Sequence, residues 1–228
     1  MRYLLLALAA VVTLSACGND PNFKTYGGGT SPLLAAIKAR IAPPAILGDP
    51  NDPAIRAGIV NFRAALEKQG QPLILASNAS LKFGTLLAPF GGSNGVKTWS
   101  STGYQTISLR DGMMVATRGF GQDLMSSVLP STATIAAAQG TTTRRYSYLD
   151  GADKMQSIDF ACQLAPAPPE SIEIVTKPYA TRKVTEACSG PKGSFKNEYW
   201  FDSGTNLRQS KQFLAPGLSN MLLQRVID

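Results

Sequence analysis

Arg144-Arg145-Tyr146-Ser147-Tyr148-Leu149-Asp150-Gly151, followed by Ile158-Asp159-Phe160-Ala161-Cys162-Gln163-Leu164, decides the fold class. Ile158, Phe160, Cys162 and Leu164 alternate with polar or small residues, the period of two that one buried sheet face requires. Asp150-Gly151 between the runs signals a hairpin. The pattern repeats outward. Upstream, Asp111-Gly112 separates Ile107 and Leu109 from Met113 and Val115, a second hairpin. Leu73–Leu75, Leu81–Phe90, Val96–Ser100 and Tyr104–Arg110 read as strands, with a turn at Gly91-Gly92-Ser93-Asn94-Gly95. Downstream, Ala165-Pro166-Ala167-Pro168-Pro169 is a stiff connection. Strands are expected over Glu170–Lys177, Thr181–Cys188, Phe195–Phe201, Leu207–Leu214 and Asn220–Val226, with Asp202-Ser203-Gly204 as a turn. Only Ser131–Gln139 interrupts, as a short helix. Short strands with few helices between them predict an antiparallel, mainly β fold.

Two helices are expected before the strands. Ser31-Pro32 pairs an N-cap with proline at the first helical position, Leu33, Leu34, Ile37 and Ile41 share a face, and Pro43-Pro44 ends the run. Asp52-Pro53 repeats the start signal, Ile55, Ile59, Phe62 and Leu66 follow at helical spacing, and Gly70 is the stop.

The N-terminus reads as an export signal. Arg2 supplies positive charge, Tyr3 to Leu14 is apolar but shorter than the ~20 residues a span needs, and Leu14-Ser15-Ala16-Cys17 has the form of a bacterial lipobox. Residues 1–16 are then a signal peptide, Cys17 the lipid attachment site and membrane contact, 17–30 a Gly-rich tether, and 31–228 a single mainly β domain with N-terminal helices. Two or more acyl chains hold a protein stably where one does not. Gly18 rather than Asp after the cysteine favours the outer membrane, facing the periplasm, over retention at the cell membrane.

Composition narrows the chemistry. The net charge of +7 contains no long basic run, so anionic lipid or acidic polysaccharide are open partners, while the export signal argues against nucleic acid. There is no histidine, which excludes Ser-His-Asp and Cys-His catalysis and histidine metal sites. No metal or cofactor is expected. With Cys17 lipidated, Cys162 and Cys188 remain as a disulfide pair in an oxidising compartment. A zinc site is the poorer alternative, since two thiols alone do not make one.

The segment with most local character is Leu109-Arg110-Asp111-Gly112-Met113-Met114-Val115-Ala116-Thr117-Arg118-Gly119-Phe120-Gly121-Gln122-Asp123-Leu124-Met125. Gly119 and Gly121 around Phe120 permit positive φ. The bend reads either as a β-bulge held by an Arg118–Asp123 salt bridge or as a ligand-facing turn. It lacks the third glycine and the helix of a nucleotide fingerprint.

A lipobox, two helices, the Trp99 strand and this segment together resemble the YjbF/GfcB family of lipoproteins. So do the Arg144–Gly151 stretch, the Cys162 and Cys188 pair, Asn197–Asp202 (NEYWFD) and Leu207–Gly217 (LRQSKQFLAPG). The resemblance covers most of the mature chain. It implies an outer-membrane lipoprotein tied to group 4 capsule and exopolysaccharide production, no established catalytic residue, and a large antiparallel sheet curled into an open barrel or sandwich with helices packed on it.

Three functions compete. The first is a non-enzymatic accessory factor in capsule or exopolysaccharide secretion or assembly. Its partners would be polysaccharide-export proteins or the acidic polysaccharide itself. Trp99, Tyr104, Tyr146, Tyr148, Tyr199 and Trp200 could stack on sugars while Arg110, Arg118 and Arg208 meet carboxylates; core packing is the ordinary use of such aromatics. The second is a carrier of an acyl chain or lipid-linked sugar, with Leu86, Leu87, Met113, Met114, Met125, Met221 and Leu222 lining a cavity. The third is a carboxylate-based glycan-acting enzyme, which needs two converging acids. Asp111, Asp123, Asp150, Asp159, Glu173, Glu186, Glu198 and Asp202 are candidates, and spacing singles out no pair.

Overall fold

The structure, a computed structural model, describes residues 48–49 and 52–228. The expected signal peptide, Cys17, the tether and the first expected helix lie outside them. The second expected helix is present as α1 (Pro53–Glu67). Asp52 caps it by accepting from Ala54 N and Ile55 N, and Pro53 takes the first helical position. Among the described residues the only other helix is α2 (Thr132–Ala136), capped by Ser131. It lies between strands, so the described residues hold one N-terminal helix, not two.

Thirteen strands follow the expected grammar. β1 is Leu73–Asn78, β2 Phe83–Ser93, β3 Val96–Ser100, β4 Thr106–Arg110, β5 Met113–Arg118 and β6 Ser126–Val128. After α2 come β7 (Thr141–Leu149), β8 (Met155–Pro166), β9 (Glu170–Ile174), β10 (Lys177–Gly190), β11 (Gly193–Phe201), β12 (Leu207–Gln212) and β13 (Met221–Ile227). Asp111-Gly112 turns with φ of 50° and 84°, the positive pair a two-residue hairpin requires. Two turn expectations need correction. Gly91 and Gly92 belong to β2 beside a bulge, and the turn is Asn94-Gly95 alone, with φ of 50° and 76°. The loop at Asp150-Gly151 is longer than two residues: Asp150 N donates to Lys154 O, its carboxylate accepts from Ala152 N and Lys154 N, and Leu149 pairs with Met155.

All strand pairs are antiparallel, in the order β5-β4-β3-β2-β1-β13-β12-β11-β10-β8-β7-β6, with β9 on β10. The sheet curls until its two ends nearly meet. Ser127 Oγ donates to Met114 O and Val115 O, and Thr117 N donates to Leu124 O across the seam. The result is an almost closed barrel rather than a sandwich.

The interior is packed. Leu87, Ile107, Met114, Tyr146, Phe160 and Met221 are all buried within it. The Pro-rich 165–169 segment bends the β8–β10 hairpin, so β9 and the start of β10 fold back over the outer face. There Ile172, Ile174 and Val175 join Ile59 and Leu66 of α1 in covering Leu73, Leu75, Leu86 and Trp200. Arg63 Nη1 ties α1 to Val175 O at 2.7 Å. Cys162 and Cys188 are directly opposed on β8 and β10 and form the expected disulfide, with a Cα–Cα distance of 4.0 Å. It joins neighbouring strands of one layer.

Candidate functional site

Three places hold the chemistry-bearing residues: the barrel centre and its two ends. At the centre, Arg144 and Glu186 form an ion pair at 2.7 Å with neither side chain exposed. Arg144 is on β7, in register with Tyr146, and Glu186 is on β10, in register with Cys188. Period-two alternation therefore turns both inward. Glu186 Oε2 also accepts from Asn197 Nδ2 (2.9 Å) and Tyr199 Oη (2.8 Å), and Oε1 from Thr142 Oγ1 (3.2 Å). Arg144 donates to Tyr146 Oη and Tyr199 Oη. Burial pushes the Glu186 carboxyl up, but the Arg144 charge and these hydrogen bonds outweigh it and hold it below its usual range. Burial raises the Tyr199 and Tyr146 phenols above theirs. The network is satisfied and closed to solvent. Two expected sugar-stacking residues, Tyr146 and Tyr199, belong to it. The Cys162 and Cys188 sulfurs and a Glu186 oxygen lie within 4.8 Å of one another, yet the sulfurs are spent in the disulfide and the carboxylate on Arg144.

One barrel end carries the Gly-flanked bend. The salt bridge read from sequence does not form. Asp123 instead accepts from Gly119 N (2.8 Å), Phe120 N (3.1 Å) and Thr117 Oγ1 (3.0 Å), while Arg118 Nη1 donates to Leu124 O and Thr117 O. Gly119 and Gly121 have φ of 87° and 91°. They fold Phe120 inward, where it is 5% exposed and meets Phe83 edge-on at 5.3 Å. A free carboxylate and a large ring would repel and attract ligands differently, but here both serve the fold: the bend is a plug. Arg110 is exposed at the end of β4. Trp200 is 2% exposed and donates Nε1–H to Glu170 Oε2 beneath the Lys183 ammonium. It packs the outer layer and cannot serve as a sugar platform.

The opposite end is open. The β2–β3 and β4–β5 turns, the starts of β1 and β12 and the end of β13 surround a cleft of about 230 Å³. This cleft brings together Trp99 and Arg208 from the sequence candidates and adds Lys97, Gln209, Gln224, Arg225 and Asp228. Arg208 is fixed on three sides. Nε donates to Asp202 Oδ2 at 2.6 Å, Nη1 reaches Asp228 at 2.6 and 2.7 Å, and the guanidinium lies 5.0 Å from the Tyr179 ring centroid. Burial lowers its affinity for the proton, but Asp228 and Asp202 together raise it above the ordinary value. Asp202 is held below its usual range: burial opposes this, and Arg208 and Asn206 prevail. Gln224 Nε2 donates to Gln209 Oε1 at 2.7 Å. An aromatic face, amides and cations in a one-ring cleft suit a polar, anionic ligand. Nothing local in the sequence announces Arg225 or Asp228, because barrel curvature alone brings β13 opposite β3.

No curated protein matches the chain. The crystal structure of the hypothetical lipoprotein YmcC from Escherichia coli (K12) is similar, with a TM-score of 0.62 and 15% identity over 77% of this chain and 94% of that one. At that identity the likeness speaks for the fold. The family model described as group 4 capsule polysaccharide lipoprotein GfcB, YjbF matches residues 57–226, the strands, bend and cleft described above, and the chain belongs to that family.

Proposed function

We propose that this lipoprotein is a non-enzymatic accessory factor in capsule or exopolysaccharide secretion or assembly. It is held by a lipidated Cys17 in the outer membrane and faces the periplasm. One observation carries the reading: in a chain of the capsule lipoprotein family, the open end of the barrel sets Trp99 beside Arg208 in a cleft sized for a single ring. Stacking and charge-assisted hydrogen bonds are the means by which such a site holds a sugar. Two further points support it. Glycoside hydrolysis needs one carboxyl kept protonated opposite another, whereas Asp202 and Glu186 are both held ionised by arginines. An acyl chain in the barrel would have to displace a core built of Leu87, Met114, Tyr146 and Phe160 around a buried ion pair.

The test is a pull-down from intact membranes after mild crosslinking, using tagged, lipidated protein, with captured proteins and glycans both identified. Export components or polymer are the expected catch. Co-purifying lipid with neither of these would overturn the reading in favour of a carrier.

A further inference from the structure

We infer that Arg208 and Arg225 form a carboxylate-exchange site, occupied by Asp228 in the free protein and by the carboxylate of an acidic sugar residue in the complex. The inference rests on the proposed polysaccharide role and names the ligand class for its cleft.

The two ends of the Asp228–Arg208 contact are unequal. Arg208 is 13% exposed, anchored through Nε by Asp202 and stacked near Tyr179. Asp202 is anchored in turn by Asn206, whose backbone N and Nδ2 both donate to it. The guanidinium thus has a fixed orientation with its Nη1 edge turned to the cleft. The carboxylate that meets this edge is 61% exposed, follows β13, and has Arg225 Nη1 at 3.8 Å. An exposed carboxylate pair contributes little, roughly 0–1 kcal/mol, so exchanging it for another carboxylate is nearly isoenergetic. The planar guanidinium fork favours carboxylates as replacements.

The surroundings select a sugar over a bare acid. Trp99 is half-buried in the same cleft and offers a ring face. The Gln209–Gln224 amide pair offers donors and acceptors for hydroxyls. Lys97 has no ion-pair partner among the described residues and supplies charge that Asp228 does not neutralise. The volume of about 230 Å³ lies below the roughly 300 Å³ at which drug-sized pockets begin, which suits one sugar ring.

The experiment is calorimetric titration of the full lipidated chain in detergent with oligogalacturonate, a neutral malto-oligosaccharide and sodium acetate. Asp228→Asn removes the internal competitor and is expected to tighten oligogalacturonate binding about threefold to tenfold. Lys97→Gln, an exposed change that leaves the arginine anchors intact, is expected to weaken it about threefold. Unchanged or weaker binding by Asp228→Asn overturns the exchange. Acetate binding as tightly as oligogalacturonate overturns recognition of the sugar. Malto-oligosaccharide binding equally well, indifferent to Asp228→Asn, overturns the carboxylate requirement while leaving the polysaccharide role standing. No saccharide binding by any variant overturns the inference too, and the membrane pull-down then decides the wider role separately.

Discussion

Replacing Arg144 by methionine tests the account of the barrel interior. At 2.7 Å the Arg144–Glu186 attraction is roughly 6 kcal/mol at an effective dielectric of about 20. Desolvating each ion costs several kcal/mol, so the pair as a whole contributes little net stability. Removing one member is different, because Glu186 stays buried with only Asn197, Tyr199 and Thr142 as donors. Arg144→Met is therefore expected to cost about 3–5 kcal/mol, a large share of the ~5–15 kcal/mol that holds a domain folded. Urea unfolding at neutral pH measures this as a lower midpoint with an unchanged slope. Adding Glu186→Leu to Arg144→Met should recover most of the loss, a coupling of about 2 kcal/mol or more. Acid supplies a second readout. In the native protein the Glu186 pKa is depressed, so its contribution is present above the unfolded value and is lost as pH falls through the folded one. In Arg144→Met the burial term is unopposed and the folded pKa lies above the unfolded one, so the variant regains ground as pH falls. The gap between the two proteins must then narrow in acid. A cost under about 1 kcal/mol, or a gap independent of pH, would refute the dry, charge-paired interior.

Three further outcomes follow from other parts of the fold. Reducing Cys162–Cys188, or replacing both cysteines with serine, should cost about 3 kcal/mol for a loop spanning 26 residues in the chain-entropy account, read as a lower thermal midpoint. Asp123→Ala should cost roughly 1–3 kcal/mol by orphaning donors at the bend. Asp123→Asn should cost less, because Oδ1 alone serves Thr117 and Phe120; equal losses would instead favour a role for the charge. Burial raises the Tyr146 and Tyr199 phenols, so their contribution is full below the unfolded value of ~10 and declines as pH climbs toward the folded ones. Alkaline unfolding should accordingly release tyrosinate absorbance in one cooperative step, and a gradual non-cooperative rise would contradict their burial.

Much of this architecture is legible in sequence, and the failures share a cause. Alternation at Ile158, Phe160, Cys162 and Leu164 marks β8 because one face of that strand is buried along its whole length. The Asp52-Pro53 start and the Asp111-Gly112 turn are local chemistry, and local chemistry survives folding. Arg144 and Glu186 were within reach of the same rule, since each shares its parity with buried neighbours; charge obscured what periodicity stated. The bend at 118–123 misleads because Arg118 and Asp123 have the right signs and spacing to pair, while backbone N–H groups, two of them freed by the positive-φ glycines, sit closer to the carboxylate. Trp200 and Trp99 look alike in sequence. What separates them is the layer made by α1 and β9, which covers the first and leaves the second at the mouth.

The dry interior and the wet cleft belong to one physical argument. A barrel that carried cargo would keep its centre empty and its walls adaptable. This one crosses its centre with Arg144–Glu186, and Gln212 reaches from β12 to Met114 N and Gly112 O on the far strands. Those crossbeams fix the β4–β5 turn relative to β12, and hence the side of the cleft bearing Asp111 and Gly112 relative to Arg208. Gly112 lies so close to Leu207 that a Cβ there would sit 2.9 Å from its Cδ2, so the two rims are already in contact before any ligand arrives. Binding at such a mouth orders few groups and forfeits little entropy, which favours affinity for a small polar ring over a large adaptable surface.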